Sequence, residues 1–565
     1  MAALRAISIA FVAAPKGTAI PFAAAPKETV HSVRGALKPI AIVILAAFAL
    51  GCATPGAGPA AGLDAPRPPE RAPASHHFVA FDHWSRGVLR RLALDGDVGA
   101  GIATAAWPLT ESIVANALDA SRGEGSASRD TASVARTWNA AAPGPSRSPY
   151  ARRFHDERRG TPRTGGLDVV ARTALRWRGR EDPLRAGSAV RTPAGFDDPP
   201  PVRLRDESAV IAAAQVDADA SFAALRLTVA AGEGPVESVE TGDASVVLGE
   251  SFLTGGIGVV RAWVGRRGVS MGSTGRGGIV LGDAVAFDGG GIETPAGFRL
   301  PGFLGGLGEV RVAQTVARMR RSGDVRRPWF IATRLSFAPS SRLAVGLSRA
   351  ALFGGEGNEP VNARRVLLML VGLTDVGGKD SDFENQVASA DVYWRVPARF
   401  PLAAYAEYGT DDAGRAFLEV PALIVGLEAS PRAGSRWSAT FEHVRFEPRG
   451  GTTYPKWYRH GALGEGWTDR GEPLGWPLGG HGRETSLALR IDAPDRGWLA
   501  TLRLSARHRG AENLFAPDRA GDASAAALDV VWFASRGLRI VLAAEGEHGE
   551  RWDAGAVTVT GGYSF

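Results

Sequence analysis

From Tyr454 to Glu484 the chain reads "YPKWYRHGALGEGWTDRGEPLGWPLGGHGRE". Here Tyr454, Trp457, Tyr458, Trp467 and Trp476 stand among His460, Asp469, Arg470, His481 and Glu484. Aromatic faces suit stacking against the C–H faces of a sugar ring, and Arg, Asp and His supply the paired hydrogen bonds that hydroxyl groups need. The candidate binding residues are therefore Tyr454, Trp457, Tyr458, His460, Trp467, Asp469, Arg470 and His481. The structural alternative is a long loop folded inward and packed by its own aromatics. Asn385, Gln386 and Asp391 form a second polar group, whose plainer reading is internal hydrogen bonding.

Catalysis finds less support. None of the ten histidines sits beside a nucleophile motif of the G-x-S-x-G kind, and neither HExxH nor C-x-x-C occurs. His481 and Glu484 share a spacing that could hold a metal, but on a glycine-flanked loop. The "GRGG" and "GGIG" stretches do not lead from a strand into a helix, so they are not phosphate cradles. No enzyme activity, metal or cofactor is expected. The formal charge of +6 is not arranged as basic clusters interleaved with aromatics, which argues against a nucleic-acid partner.

The elements that must position these residues begin after an export segment. Residues 39–50, "PIAIVILAAFAL", follow Arg34 and Lys38 and precede small residues, the layout of a secretory signal. The long lead-in fits a start downstream of Met1. Cys52, the one cysteine, is a lipidation candidate in "FALGC" or a small residue near an ordinary cleavage point. Residues 1–52 are thus read as signal and 53–75, rich in Pro, Ala and Gly, as linker. Residues 76–165 carry three helical patterns: "FDHWSRGVLRRLALDGDV" stopped by Gly96, "WPLTESIVANALDAS" with Thr110 as N-cap, and "SRDTASVARTWNAA".

From Gly166 the period changes to two. Runs of about 8–12 residues such as "GIGVVRAWVG", "RLAVGLSRAAL", "RVLLMLVGL" and "AVTVTGGYSF" are bounded by Gly, Pro, Asp or Asn. In "RLAVGLSRAAL" Leu343, Val345 and Leu347, then Arg349 near the strand end, share one face, and Arg342, Ala344, Gly346, Ser348 and Ala350 the other. A composition of 45% hydrophobic residues with mean hydropathy −0.05 is too polar for a helical membrane bundle. Apolar-out, small-or-polar-in strands instead predict a mainly β fold, a transmembrane antiparallel β-barrel of about 18 strands over 166–565 with a small N-terminal helical region. Closure removes the edges that lipid would penalise. Trp177, Trp263, Trp329, Tyr393, Trp394, Tyr405, Tyr408 and Trp532 are then candidates for interfacial girdles. Val557, Val559, Tyr563 and Phe565 would face lipid on the last strand.

Several blocks in order resemble the Wzi-type capsule-assembly family of outer-membrane proteins. They are "LALDGDV" with "TAAWPLTESIVANAL", the stretch from "AWVGRRGVSMGS" to "FRLPGFLG", "FENQVASADVYWRVP", and the 454–485 block. Arg266 and Arg267 stand where that family usually has Gly-Pro, Trp467 stands where Tyr is usual, and "GDAVAF" replaces an Asn-rich stretch. The resemblance implies a monomeric barrel with periplasmic helices, acting as a lectin that holds capsular or related surface polysaccharide. Outer-membrane lipid and the barrel-assembly machinery are its other expected partners. A porin or sugar/anion channel is the competing reading, since barrels of this size can leave an aqueous lumen. The terminal aromatic resembles the assembly signal of bacterial outer-membrane barrels. Deleting Phe565, or Phe565→Ala, is accordingly expected to lower the amount of heat-modifiable barrel several-fold on denaturing gels with synthesis unchanged; equal assembled amounts would contradict it.

Overall fold

A chain whose alternate side chains are apolar and small cannot satisfy both faces of an open sheet in lipid, so its edges must meet. In the computed structural model they do. The structure describes residues 85–107, 109, 111–120, 166–178, 202–204, 209–219, 223–233, 236–238, 246–282, 286–319, 321–322, 325–356, 384–411, 421–446, 457–459, 466–469, 472–516, 519–535 and 538–564, all within one compact unit, Leu63–Phe565. The barrel strands are β1 (Gly166–Arg178), β2 (Ala209–Asp219), β3 (Ala223–Glu233), β4 (Val246–Leu248 continued by Ser251–Ile257), β5 (Val260–Gly268), β6 (Ala286–Glu293), β7 (Glu309–Arg318), β8 (Trp329–Ser340) and β9 (Leu343–Phe353). The second half comprises β10 (Glu384–Val396), β11 (Leu402–Asp411), β12 (Pro421–Ala429), β13 (Trp437–Arg445), β14 (Gly482–Ala493), β15 (Trp498–Arg509), β16 (Gly521–Ser535), β17 (Leu538–Gly549) and β18 (Asp553–Ser564).

Each strand pairs antiparallel with the next, and β18 returns to β1 in a register running from Val170↔Ser564 to Arg178↔Ala556. Eighteen strands therefore close, the two pieces of β4 both pairing with β3. The expected strand in "RVLLMLVGL" lies outside the described residues. Connections at one end are short, such as 341–342 between β8 and β9 and 494–497 between β14 and β15. Those at the other end are long, notably 269–285 and 446–481. In barrels of this kind the short turns lie in the periplasm and the long loops outside.

Alternation sorts the faces as the sequence predicts. Leu227, Leu253, Val264, Leu347, Leu427, Phe441, Leu487, Leu489, Leu504 and Val559 form an exposed apolar belt. Ala344, Ser348 and Ala350 on the opposite face of β9 are buried. Trp394, Trp437 and Trp532 are exposed toward the short-turn end, and Trp329 toward the long-loop end, as girdle residues should be. Trp263, Tyr393 and Tyr405 are not girdle residues: they are buried on the inward face, where they meet arginines and carboxylates. On β18 Val559 is exposed, Val557 and Tyr563 are half-buried, and Phe565 lies outside the described residues.

Two of the three expected helices are present among the described residues, α1 (Ser85–Asp95) and α2 (Glu111–Ala120). The third pattern and Thr110 lie outside them. α1 stops at Gly96, whose φ of 86° is left-handed, and whose N–H donates to the carbonyl of Leu92. Val88, Leu89, Leu92 and Ala93 of α1 pack with Ile113, Val114 and Leu118 of α2 against Leu499 and Phe533. Those two wall residues sit at the short-turn ends of β15 and β16, so the helices cap that end of the barrel. At the end of α1, Asp95 pairs with Arg91 at 3.1 Å and accepts a hydrogen bond from the Gly434 N–H at 3.3 Å.

Burial pushes the Asp95 carboxyl up to about 6, against the pull of Arg91. An acid whose pKa is raised by folding favours the folded contact while protonated. Its contribution is complete below the ordinary carboxylate value and is lost as pH rises through about 6. Amide exchange in α1 should therefore show parent protection falling relative to Asp95→Asn between about pH 4 and 6, by an amount on the order of 2–3 kcal/mol. A difference that does not vary with pH would contradict this account.

Candidate functional site

The inward face of the wall is small because another part of the chain lies against it. A Cβ at Gly409 on β11 would come within 2.7 Å of the Ile279 side chain, and one at Gly426 on β12 within 2.0 Å of the Tyr405 ring. Ile279 belongs to the β5–β6 connection, which turns into the barrel. There the Ile279 N–H donates to the Glu407 carboxylate of β11 at 2.9 Å, and its carbonyl accepts from the Tyr458 hydroxyl. The Val280 carbonyl accepts from Trp467 Nε1 at 2.9 Å, and the Gly282 N–H donates to the Leu474 carbonyl at 2.9 Å. The inner loop 269–282 is thus hydrogen-bonded to the wall on one side and to the 457–476 segment on the other.

Arg276 anchors this loop. Its NH2 group donates to Glu442 of β13 and to Glu484 of β14, each at 2.9 Å, and its guanidinium lies 4.5 Å from the Trp476 ring centroid. Burial alone would lower its pKa, but Glu484 and Glu442 outweigh that and raise it, so the group is permanently charged. The second oxygen of Glu442 accepts from Tyr405 at 2.8 Å. Glu484 also faces Arg507 at 3.6 Å, and Arg507 and Arg509 share Glu547 at 2.6 and 2.5 Å. From the other end, Arg90 of α1 pairs with Glu428 of β12, donates to the Ser273 carbonyl of the inner loop, and lies 4.6 Å from the Tyr405 ring centroid. A chain of buried ion pairs and stacked rings therefore runs through the lumen from α1 to the long-loop end.

The candidate block forms the outer layer of this filling. Trp457, Tyr458 and Trp467 are 0% exposed. Phe446 and Tyr458 both meet Trp457 edge to face, at 5.2 and 5.7 Å, and Trp467 packs on Phe330 at 5.9 Å. Tyr458 is the organising residue. Its φ is 63°, a strained value for a non-glycine residue. Its N–H donates to Asp411 at 2.6 Å, its carbonyl accepts from the Trp467 N–H at 2.7 Å, and its hydroxyl accepts from the Trp476 N–H at 2.9 Å. Burial pushes its phenol well above the ordinary range, so it stays protonated and can donate to Ile279. Asp469 is buried in a short ladder, Thr468–Asp469 against Glu472–Pro473.

His481 keeps partial exposure, its ring lying over Gly510. Arg459 is also half-buried and donates to the Asn513 carbonyl at 2.7 Å. Asn513 holds the carbonyls of Leu478 and Gly480 at 2.8 and 2.7 Å. The structure thus brings Trp457, Tyr458, Trp467, Asp469 and His481 into one block, with the three aromatic rings spent on internal contacts. Tyr454, His460, Arg470 and Cys52 lie outside the described residues.

Of the other polar candidates, Asp391 and Gln386 make the expected internal hydrogen bonds and the buried Asn385 side chain makes none. Asp391 receives a two-pronged bond from Arg334 at 2.8 and 3.0 Å, and Arg334 also reaches Ser348 and the Thr104 carbonyl. Asn385 is fully buried. Gln386 instead accepts from Arg349 at 3.0 Å on the alternate face. Arg267 pairs with Glu293 over the Trp263 ring, and Arg266 faces Asp288 at 3.7 Å. Sequence reasoning passed over Arg276, Arg90, Glu407, Glu428 and Glu442. The available signal was the set of carboxylates placed on the small-residue face of their strands. Among the described residues no cluster suited to a metal ion occurs.

The model of the capsule assembly protein Wzi family matches residues 202–550. The chain belongs to the Wzi capsule-assembly family. Its barrel is similar to that of Wzi from Escherichia coli, an outer-membrane protein involved in group 1 capsule assembly and a carbohydrate-binding β-barrel. The TM-score is 0.63 at 16% identity, covering 86% of this chain and 99% of the other. OccK5 (OpdH) of Pseudomonas aeruginosa aligns with TM-score 0.44 and 9% identity over 71% of this chain and 98% of its own. No curated protein sequence matches. Like its family, this Wzi-type chain is an outer-membrane protein of capsule assembly.

Arg276 is the residue whose loss the filling should feel most. Arg276→Met leaves Glu442 and Glu484 with one partner fewer in a buried site, at a cost of about 3–5 kcal/mol. The expected result is a barrel that still shows the heat shift but unfolds at lower temperature and is cleaved by added protease within 269–285. Protease resistance equal to the parent would refute the anchoring role.

Proposed function

We propose that this barrel holds capsular or related surface polysaccharide at its long-loop mouth, outside a filled lumen. The observation that carries the reading is the outer layer itself. Tyr458 and Trp467 are locked inward by hydrogen bonds to Asp411, Ile279 and Val280, Trp457 packs edge to face on Phe446 and Tyr458, and the half-buried Arg459 and His481 sit on the same layer. The carbohydrate binding of the Escherichia coli protein supports it. In this reading the buried aromatics and Asp469 shape the platform, and Arg459 and His481, with Tyr454, His460 and Arg470 of the same block, contact the sugar hydroxyls. The helical region 76–165 faces the periplasm, and the barrel-assembly machinery inserts the chain as a monomer. The protein works as a holder and not as an enzyme. A lumen occupied from Arg90 to Trp476 favours holding over passage, against the channel reading.

The test is retention of polysaccharide from the producing cell on the purified barrel, alongside single-channel recording in planar bilayers. Arg459→Ala with His481→Ala should lower retention several-fold, more for long polymers than short ones because repeats bind together. The heat shift should not change, and the parent should show no steady open-channel conductance. Undiminished retention in the double variant would remove these residues from the site. A stable conductance would favour the channel.

A further inference from the structure

The short-turn end of the barrel is not uniform around its rim. From the β8–β9 turn onward every connection at that end carries an arginine: Arg342, Arg399, Arg432 with Arg436, Arg496 and Arg536. The β4–β5 turn, Ile257-Gly258-Val259-Val260, carries no charge, and residues 297–308 of the β6–β7 connection, "GFRLPGFLGGLG", hold Arg299 alone. Ile257 is 89% exposed, and Phe303 on the 3₁₀ turn Gly302–Leu307 is 91% exposed. Large apolar groups this bare on neighbouring turns mark a surface that something covers.

The outward rows of β4 to β7 place that surface in depth. Arg266 of β5 and Arg318 of β7 are both register partners of Asp288 on β6, and Arg318 lies 4.7 Å from the Trp329 ring centroid. A charged row beside a girdle tryptophan belongs at the outer interface, because charge on the lipid face is costly at the midplane. Below it every outward residue of β4, β5 and β6 is apolar or glycine: Leu253, Gly255 and Ile257, then Val264, Ala262 and Val260, then Gly290 and Ile292. On β7 the one polar member of that face, Gln314, accepts from Thr333 of β8 at 2.7 Å. Val260 is six positions from Arg266, about 20 Å along the strand and about 15 Å along the membrane normal for a tilt of about 40°. The apolar band of such barrels is about 25 Å tall, so the β4–β5 turn ends inside it. Glu309 is nine positions from Arg318, about 23 Å deeper by the same geometry, which brings the tip at 298–308 to the inner interface.

Backbone polar groups within hydrocarbon need internal partners. Arg261, on the inward face, donates to the carbonyls of Gly258 and Val260, each at 3.0 Å. The tip closes on itself through the Gly308 N–H, which donates to the Gly305 carbonyl at 3.0 Å. With φ of 73°, Gly308 seats the tip on β8, where a Cβ would come within 1.8 Å of the Ala338 carbonyl.

We propose that the β4–β5 turn and the β6–β7 tip are sunk in the inner leaflet of the outer membrane, where phospholipid acyl chains cover Ile257, Val260, Ile292, Phe303 and Leu304. The wall is too short at β4 and β5 to cross a full apolar band, and the tip supplies the missing depth as an apolar foot. Lipid is the occupant because the surface continues the exposed apolar belt of Leu253 and Val264 without a polar break. This surface is remote from the mouth and does not depend on polysaccharide binding there.

The test uses an environment-sensitive fluorophore on Ile257→Cys, on Phe303→Cys and, for comparison, on Ala433→Cys in the exposed arginine-bearing β12–β13 turn. Parent protein labelled in parallel gives the background, and the heat shift confirms assembly. In phosphatidylethanolamine–phosphatidylglycerol vesicles, lipid spin-labelled on its acyl chain should quench positions 257 and 303 several-fold more than 433. Iodide present on both faces should show the reverse order. If Phe303→Cys does not assemble, Leu304→Cys reads the same tip. Iodide access at 257, or at the tip, equal to that at 433 overturns the proposal. Iodide access at the tip that is lost only when periplasmic extract is added assigns the tip to a protein partner and overturns it as well.

Discussion

A buried guanidinium with two carboxylates from neighbouring strands is the constraint on which the rest of this molecule hangs. Arg276 comes from a loop, and Glu442 and Glu484 come from the wall. Each would be costly alone inside a protein, because desolvation of an ion is repaid only when every partner is in position. The cluster therefore tolerates one arrangement. It requires β13 and β14 in their observed register, Val444↔Glu484 and Glu442↔Ser486. It also requires the inner loop at a fixed depth and Trp476 over the cation. Hydrophobic contact alone would not choose so sharply, since Ile279, Val280 and Leu281 could slide along an apolar wall with little penalty.

This explains a pattern that a pore would not. The inward face of β9, β11 and β12 uses Ala, Gly and Ser beside isolated acids. In an open channel those small residues would simply widen the lumen. Here Gly409 makes room for Ile279 and Gly426 for the Tyr405 ring, while Glu407 accepts the loop backbone. The arginines at 266 and 267 fit the same scheme. There the chain places two cations that meet Asp288 and Glu293.

Much of the architecture was legible in the sequence because it is written at short range. The two-residue period, turn residues every 8–12 positions, and Gly96 after an apolar helical stripe are all local signals, and the barrel and α1 follow from them. The inward use of Tyr393 and Tyr405 was not legible. An aromatic near a strand end looks the same whether it meets lipid or Arg90 from a helix more than 300 residues earlier. The 454–484 block was found by its density of aromatic and polar groups. That density does not say which way the rings face; the contacts to Ile279 and Val280, far away in sequence, decide it. Glu428 and Glu442 were hidden for the same reason, since a carboxylate on a strand reveals its role only once its cation is in place.

The chain of contacts through the lumen also has a mechanical meaning. Tyr458 and Trp467 grip the backbone of Ile279 and Val280, Arg276 ties that loop to β13 and β14, and Arg90 ties it at Ser273 to a helix at the opposite end. A pull applied at the mouth is thus delivered sideways into the wall, along strands whose hydrogen bonds would have to shear together. In the proposed role a tethered polymer would drag on its anchor continuously. An interior built this way spreads that tension over many strands, where a free loop would concentrate it at its two stems.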